Sequence, residues 1–203
     1  MRTLALGGIT GPILFTAVTI ICAAVRPGYD HFRNLISELG AHGTANATLM
    51  NYAGFIPAGI MMVAFGVALS RTLPSTRLNA TAAALIMIFG VGVLTSGIFS
   101  CDPGCPADGS LENMIHDRIA PIAFLSLIIG VAILGFQFRR TPNWSQLARY
   151  SLLTSAAALI CMIALILSFN TRTQTGLWQR LMLGALFVWC ARIGLNAYRL
   201  PRL

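Results

Sequence analysis

The sequence contains no lysine and is poor in acidic residues, with six in 203 residues. Charged side chains make up 10% of the chain, whereas a soluble domain carries about 25%. Hydrophobic residues make up 56% of the chain. So small a charged fraction argues against an ordinary water-soluble domain and indicates that a lipid bilayer is the main solvent.

Because lysine is absent, all 14 basic side chains are arginines, and the formal net charge is +8. These arginines are scattered over several short segments instead of forming one basic face with readout elements, so no nucleic-acid partner is expected. The sequence also lacks a P-loop, a dinucleotide glycine fingerprint, a His-Glu-x-x-His zinc pattern and a Gly-x-Ser-x-Gly elbow. The expected partner is the bilayer itself, and the oligomeric state stays open.

Six apolar runs each approach the ~20 residues that a helix needs to cross ~30 Å of hydrocarbon. Backbone groups in lipid must bond within their own segment, so the runs are helices and not strands. The sequence therefore predicts an all-α polytopic membrane protein, a single domain over 1–203 with six transmembrane helices in one bundle. The predicted spans are about 4–25, 50–69, 80–99, 119–138, 150–169 and 177–198.

The arginines also predict the orientation of the bundle. Six spans place both termini on the same side as the second and fourth loops, and nine arginines lie there against five on the other side. By the positive-inside rule both termini are expected in the cytoplasm, with the protein in the cell membrane. The nine are Arg2, Arg71, Arg77, Arg139, Arg140, Arg149, Arg192, Arg199 and Arg202.

The acidic residues and histidines are confined to two polar segments, 26–49 and 100–118, both of which this topology places outside the cytoplasm. They are Asp30, His31, Glu38 and His42 in the first, and Asp102, Asp108, Glu112, His116 and Asp117 in the second. Nearly all the proton-transfer and metal-binding chemistry of the chain is therefore expected on one membrane face.

The first polar segment predicts a short amphipathic helix over 30–39. Asp30 suits its N-cap, and Gly40 suits a left-handed cap at its carboxyl end. The helix is expected in the head-group zone or folded back over the bundle. Its apolar stripe, at helical spacing, consists of Phe32, Leu35, Ile36 and Leu39.

In the second polar segment Cys101 and Cys105 flank an Asp-Pro-Gly turn. Disulfides persist outside the cytoplasm, so a disulfide between Cys101 and Cys105 is favoured, with free thiols and metal ligands as the alternatives that spacing alone leaves open. Asp108 or Ser110 can cap a following helix that contains His116.

Small residues recur where helices are expected to meet. Gly7 and Gly11 have the four-residue spacing that lets helices approach closely. The outer end of the third span is rich in glycine, threonine and serine, which either permits close packing or leaves space for a ligand. Pro57 predicts a kink near the outer end of the second span.

Four motifs, in this order, resemble a known family. They are Ile36-Ser-Glu-Leu-Gly40 before a second helix that contains Asn51, Phe99-x-x-Asp102-Pro103, a following His116, and Gly176-Leu-x-Gln-Arg180. The family comprises prokaryotic multi-pass membrane proteins and is catalogued as domain of unknown function 998. The resemblance implies six membrane helices and no particular activity, and it directs attention to Ser37, Glu38, Asp102, His116 and Arg180.

These residues give three sets of site candidates. The catalytic candidates are His116, Asp102, Glu38 and Ser37, because an imidazole beside a carboxylate can act as a general base. The ligand-binding candidates are Arg180, Asp30, Arg33 and Asn51, since a guanidinium binds phosphate or carboxylate through two parallel hydrogen bonds. The candidates for a zinc site are His116, His31 and His42.

Three functions remain open on this basis, and the sequence does not decide whether the protein is an enzyme. It favours binding of a lipid or small amphiphile in a polar pocket on the outer face, with transport as an extension. The first alternative is a membrane-embedded lipid hydrolase that uses histidine and carboxylate or zinc. The second is a non-catalytic accessory or structural role.

Overall fold

The computed structural model describes residues 2–199, and within this range the chain is helical with no strand. Six of its helices are long and apolar enough to cross a membrane, which confirms the all-α, six-helix prediction. Arg202, one of the nine arginines used above to predict the orientation, lies outside the described residues. The two ends of the predicted domain lie outside them as well. The six are α1 (Arg2–Val25), α2 (Ala47–Thr72), α3 (Arg77–Ile98), α4 (Leu111–Phe138), α5 (Pro142–Ser168) and α6 (Thr175–Arg199).

The six helices form a closed ring. Each packs against its neighbours in sequence, and α1 also packs against α6. Glycines set several of these close approaches: a Cβ on Gly90 of α3 would lie 2.7 Å from the backbone nitrogen of Val63 in α2. Likewise, a Cβ on Gly8 of α1 would lie 2.8 Å from the carbonyl oxygen of Cys190 in α6. The predicted pair Gly7 and Gly11 packs against α2 in the same way.

The first and second polar segments meet at one end of this ring. The backbone N–H of His42 donates to the carbonyl of Cys101 (2.9 Å). The amide nitrogen of Asn51 donates both to the carbonyl of Gly40 (3.0 Å) and to the hydroxyl of Ser100 (3.0 Å). We call this the acidic end, and the opposite end, where Arg2 and Arg199 lie, the terminal end.

Helix α4 begins at Leu111, earlier than the apolar run over 119–138 indicates. The hydroxyl of Ser110 caps it by accepting from the N–H of Asn113 (3.3 Å), as one of the two expected caps. At 28 residues the helix is about 42 Å long, more than the ~30 Å of hydrocarbon. His116 and Asp117 therefore lie on the first two turns of the spanning helix itself.

Helix α2 contains a π-helical turn, Met50–Phe55, just before Pro57. The N–H of Ile56 bonds to the carbonyl of Asn51, five residues back. Such widened turns are rare and occur mostly as single bulges, frequently at functional sites. Here the widened turn lies where Pro57 predicted a kink. Asn51 faces the polar segments, and Phe55 faces the interior of the ring.

Residues 30–39 do not form the continuous amphipathic helix that their periodicity predicts. A turn is followed by a short 3₁₀-helix, Ile36–Gly40, whose five residues are all buried. The side chain of Asn34 accepts from the N–H of Asp30 (2.8 Å), and Glu38 accepts from the N–H of Leu35 (2.8 Å). These side-chain bonds compete with helical hydrogen bonding. Residues 35–40 are therefore packed against the bundle, which agrees with the expected placement folded back over it.

Of the two caps predicted for this segment, one is present and the other is not. Asp30 accepts from the N–H of Phe32 (2.7 Å) and so caps the turn. Gly40, by contrast, does not adopt the left-handed backbone expected of a C-cap. A Cβ at Gly40 would overlap the side-chain amide of Asn51, so close packing explains this glycine.

Candidate functional site

The ring of helices encloses a chamber of about 530 Å³ near the acidic end. All six helices contribute to its wall, and most of the lining side chains are apolar. Gly92 and Ser96 of α3 also line it, so the small residues of that helix both pack closely and leave space. Representative apolar residues are Phe15, Met62, Phe89, Phe124, Leu165 and Leu183.

The polar residues of the chamber are gathered at its acidic end. Two of the predicted site residues, Ser37 and His116, are among them. Four further polar residues join them, namely Asp117, Asn170, Arg172 and Gln179. The chamber thus has an apolar body and a polar mouth.

His116 is buried, with 5% of its surface exposed. Its Nδ1 lies 3.0 Å from the carbonyl oxygen of Phe99, directly after the last residue of α3. The last carbonyls of a helix have no partner within the helix, so the imidazole satisfies one of them. This contact holds the ring against α3 on the wall of the chamber.

Ser37 and Gln179 fix the 3₁₀-helix over the mouth. The side-chain oxygen of Gln179 accepts from the N–H of Ile36 (2.7 Å), which joins α6 to this segment. Oγ of Ser37 lies 3.5 Å from Sγ of Cys105. Cys105 is bonded to Cys101 in a disulfide, and it also lines the chamber.

Arg172 and Asp117 bring one charge of each sign to the mouth. The guanidinium of Arg172 donates to the carbonyls of Gly104 (3.2 Å) and Cys105 (3.0 Å). The carboxylate of Asp117 accepts from the side chain of Asn113 (3.2 Å). Because the partners of Arg172 in these bonds are neutral carbonyls, they satisfy its donors without cancelling its charge.

Glu38 and Asp102 lie at the acidic end, but neither lines the chamber. Glu38 is bonded within its own segment, to Asn34 (2.8 Å) and to the N–H of Leu35. Asp102 accepts from the backbone N–H (2.7 Å) and the hydroxyl (2.9 Å) of Ser110. These two bonds, the backbone one foremost, lower the pKa of the Asp102 carboxyl below its usual value.

Arg180 holds the first polar segment against α6. One terminal nitrogen of its guanidinium donates to the carbonyls of His31, Asn34 and Gly176, each at 2.9 Å. The other terminal nitrogen donates to the hydroxyl of Tyr29. Burial raises the pKa of the Tyr29 phenol, which keeps it neutral as the acceptor. Arg180 does not line the large chamber, although it borders a smaller groove of about 250 Å³.

The remaining ligand-binding candidates have local partners. Arg33 forms an exposed ion pair with Asp30 (3.7 Å), and exposed pairs of this kind contribute little. Asn51 joins Gly40 to Ser100, as described above. Neither Asp30, Arg33 nor Asn51 lines the chamber.

The histidines proposed for zinc do not come together. Within residues 2–199, no group of three or more His, Cys, Asp or Glu side chains could hold a metal ion. His31 and His42 lie on the exposed part of the first polar segment, whereas His116 is buried on α4. The zinc form of the hydrolase hypothesis therefore has no ligand set in the described chain.

Four mouth residues lie outside the three sets of site candidates drawn from the sequence, namely Asp117, Asn170, Arg172 and Gln179. Gln179 immediately precedes Arg180 in a motif used for the family resemblance, and Asp117 follows His116, so both carried a signal. Arg172 carried none, because an arginine in a polar loop is ordinary. Its position at the mouth comes from its two bonds to the disulfide loop.

Comparison with known proteins gives one match. No curated protein and no solved structure matches the chain. The model of a family described as "Protein of unknown function (DUF998)" matches residues 9–196. This covers nearly the whole chain, from α1 to the last turn of α6. The chain therefore belongs to the DUF998 family of proteins of unknown function, as its four motifs indicated, and is a multi-pass membrane protein with six apolar helices.

Proposed function

We propose that this protein binds one amphiphile inside its helical ring, with a hydrocarbon chain in the apolar chamber and a polar group at the mouth. The observation that carries the proposal is the chamber itself, whose apolar body ends at Ser37, His116, Asp117, Arg172 and Gln179. Its volume of about 530 Å³ falls in the range of roughly 300–1,000 Å³ common for small-molecule sites.

The hydrophobic effect indicates which contacts in the chamber determine the affinity for a ligand. Moving hydrocarbon out of water stabilises a complex by ~0.8 kcal/mol per methylene. A chain that leaves the bilayer gains almost nothing from this source, because lipid tails are as apolar as the chamber wall. Shape and the polar contacts at the mouth are therefore expected to set affinity and selectivity. Arg172 and His116 are the residues placed to make those contacts.

The arrangement at the mouth favours binding over hydrolysis. A serine nucleophile needs a base within about 3 Å or through one water. In the described residues, Ser37 is placed against Cys105 and His116 is bonded to the carbonyl of Phe99, with no hydrogen bond between the two. Glu38 and Asp102 are both committed to backbone groups. No described carboxylate forms a hydrogen bond with the His116 ring.

We further propose that the protein lies in the cell membrane with both termini in the cytoplasm, so that the chamber opens on the extracytoplasmic side. The support is the excess of arginine on the terminal side. A disulfide at the mouth is typical of an oxidising compartment.

The proposal is tested by filling the chamber. Ala120 lines it on α4, so Ala120→Phe places a ring in the space that the chain of the ligand needs. The matched control is Ala157→Phe, at an exposed position of α5 that does not line the chamber. Binding of dansyl-undecanoic acid is measured by fluorescence in lipid nanodiscs, against nanodiscs without protein.

We expect the wild type and Ala157→Phe to bind the probe alike. Ala120→Phe should bind it about tenfold to a hundredfold more weakly, which corresponds to about 1.4–2.8 kcal/mol. Phe124→Trp, also on the wall, serves as a second variant should Ala120→Phe not fold. Saturable binding that is equal in all folded variants, or no binding by the wild type, overturns the proposal.

A further inference from the structure

The chamber has a side opening between α4 and α5. Five of its wall residues are exposed. Ala107, Phe169 and Asn170 lie in or next to the loops of the mouth, whereas Pro121 of α4 and Ile166 of α5 lie within the helices. Ile166 is 54% exposed and Phe169 is 40% exposed, although each also lines the chamber. Side chains that border a chamber and are exposed outside it mark the edge of an opening.

The two helices are in tight contact farther from the acidic end, so the opening is local. A Cβ on Gly135 of α4 would lie 2.8 Å from the side chain of Leu152 in α5. The hydroxyl of Ser155 in α5 donates to the carbonyl of Ile128 in α4 (3.0 Å). Farther toward the terminal end, α4 and α5 are joined by the short connection between Phe138 and Pro142. The cleft is therefore confined to the half of the hairpin nearer the acidic end.

The depth of the cleft places it against lipid. Pro121 lies about 26 Å from the terminal end of α4 at Phe138, from ~1.5 Å of rise per residue. The hydrocarbon core is ~30 Å thick, so a helix that enters it near Phe138 has Pro121 still inside, just below the far boundary. Asp117 lies one turn nearer the acidic end on α4, and Arg172 follows α5 in the next loop. The polar mouth is therefore at head-group level, directly above the cleft.

We infer that the ligand of the chamber is a lipid-like amphiphile that resides in the bilayer and passes sideways between α4 and α5. This inference rests on the proposed function. The hydrocarbon chain crosses between Pro121 and Ile166 while the polar group stays at the level of Asp117 and Arg172. A passage through water would instead cost ~0.8 kcal/mol for each exposed methylene, and the side opening avoids that cost.

The smaller groove offers a second possible route into the chamber, and the experiment below distinguishes it from the opening between α4 and α5. The smaller groove lies between α1 and α6, and its wall shares Phe15, Ile36, Leu183 and Phe187 with the chamber. The rings of Phe15 and Phe187 pack edge to face at 5.8 Å between centroids and separate the two spaces. Gly184 borders this groove with nothing within 4 Å of its Cβ position.

The inference is tested by changing the width of the cleft. Ile166→Trp narrows it and Ile166→Ala widens it. Ile163→Trp and Ile163→Ala are the controls, because Ile163 is 50% exposed on the same helix but does not line the chamber. Protein in nanodiscs is loaded with dansyl-undecanoic acid and mixed with excess palmitate. Release is followed in a stopped-flow instrument as the loss of energy transfer from tryptophan to dansyl.

We expect Ile166→Trp to slow release and association about tenfold, which corresponds to ~1.4 kcal/mol of added barrier. Ile166→Ala should speed both rates, and the dissociation constant should stay within about twofold because both rates change together. The Ile163 variants should exchange the probe at the wild-type rate.

The outcomes separate the inference from the proposed function. Unchanged rates in both Ile166 variants overturn the side passage while probe binding by the wild type still supports the chamber. Slower release in Gly184→Trp with unchanged Ile166 variants assigns passage to the α1–α6 groove instead. Absence of probe binding by the wild type overturns both.

Discussion

Three charged side chains at the acidic end, those of Glu38, Asp102 and Arg180, bind backbone groups near helix ends and turns. A buried backbone donor or acceptor without a partner costs free energy comparable to a lost hydrogen bond. Loops that cover a chamber leave many such groups unpaired by secondary structure. A charged side chain that satisfies several of them positions the loop. On this view Arg180 is a positioning residue, and the chamber residues are the ones that meet the ligand.

The role of Arg180 predicts the effect of Arg180→Lys. A lysine ammonium keeps the charge but cannot reproduce the planar fork that reaches three carbonyls and the Tyr29 hydroxyl. We expect the free energy of unfolding to fall by about 1–3 kcal/mol, measured by thermal melting in detergent. Arg118→Lys, at an exposed position, is the control and should melt like the wild type. A stable Arg180→Lys variant that has lost probe binding would instead make Arg180 a ligand contact.

At the residue scale, the sequence predicted which side chains lie together at one end of the bundle but not which of them line the chamber. Ser37, Glu38, Asp102, His116 and Arg180 all lie at the acidic end, as expected. Only Ser37 and His116 line the chamber. The rest could not be assigned because side-chain direction depends on which backbone groups the loops leave unpaired, and a linear pattern does not encode that.

At the scale of elements, the start of α4 organises the mouth. Asp102 binds Ser110, and Ser110 in turn caps the helix. Asn113, on the first turn, donates to the carbonyl of Pro106 (2.8 Å) and to Asp117. The loop that carries the disulfide is therefore tied to the first turn of α4, one turn before His116 and Asp117. The geometry of the mouth depends on this cap.

The lowered pKa of Asp102 predicts a pH dependence. A carboxyl whose pKa is lower in the folded state contributes stability above its ordinary pKa, and that contribution is lost as the pH falls through the lowered value. We therefore expect the melting temperature of the wild type to fall more steeply below about pH 4 than that of Asp102→Asn. Asp108→Asn, which removes one negative charge from the same loop, is the control. Equal pH dependence in the two variants would contradict the role of the Asp102 contact.

The helices predicted from the sequence are correct for the six spans, whose hydropathy reflects the lipid around them. The prediction is wrong for the segment 30–39, which folds onto the bundle. The six spans follow from hydropathy alone. Hydropathy alone began the fourth span at residue 119, because it gives no signal for the polar first turns, whereas the capping pattern at Ser110 correctly indicated a helix that starts there. The segment 30–39 has helical periodicity, but Asn34 and Glu38 divert its backbone bonds, and burial of Ile36 and Leu39 in the bundle settles its shape.

At the scale of the whole molecule, closure of the ring creates the site. Contact between α1 and α6 joins the two ends of the chain at their glycines and leaves a chamber that no single helix defines. Such a space could not be predicted from the sequence, because it depends on which faces of six apolar helices turn inward. The small residues of α3 indicated either close packing or space for a ligand, and the structure shows both close packing and an adjoining space.

The arrangement also predicts which loops are reached from each side of the membrane. Thr173→Cys, at an exposed position near the mouth, should react with a membrane-impermeant maleimide in intact cells. Ser75→Cys, exposed at the terminal end, should react only after the membrane is opened. The free cysteines give little background, since Cys22 and Cys190 are buried and Cys161 is half-buried. Labelling of Ser75→Cys but not Thr173→Cys in intact cells would reverse the proposed orientation.

The central claim is that the chamber holds one amphiphile taken from the membrane. Native mass spectrometry of the protein, released directly from membranes, tests it without any added probe. We predict a bound lipid-like mass at one copy per chain in the wild type and in Ala157→Phe, and its loss in a folded Ala120→Phe variant. Bound mass that is the same in all three proteins, or that is absent from the wild type, would contradict the account.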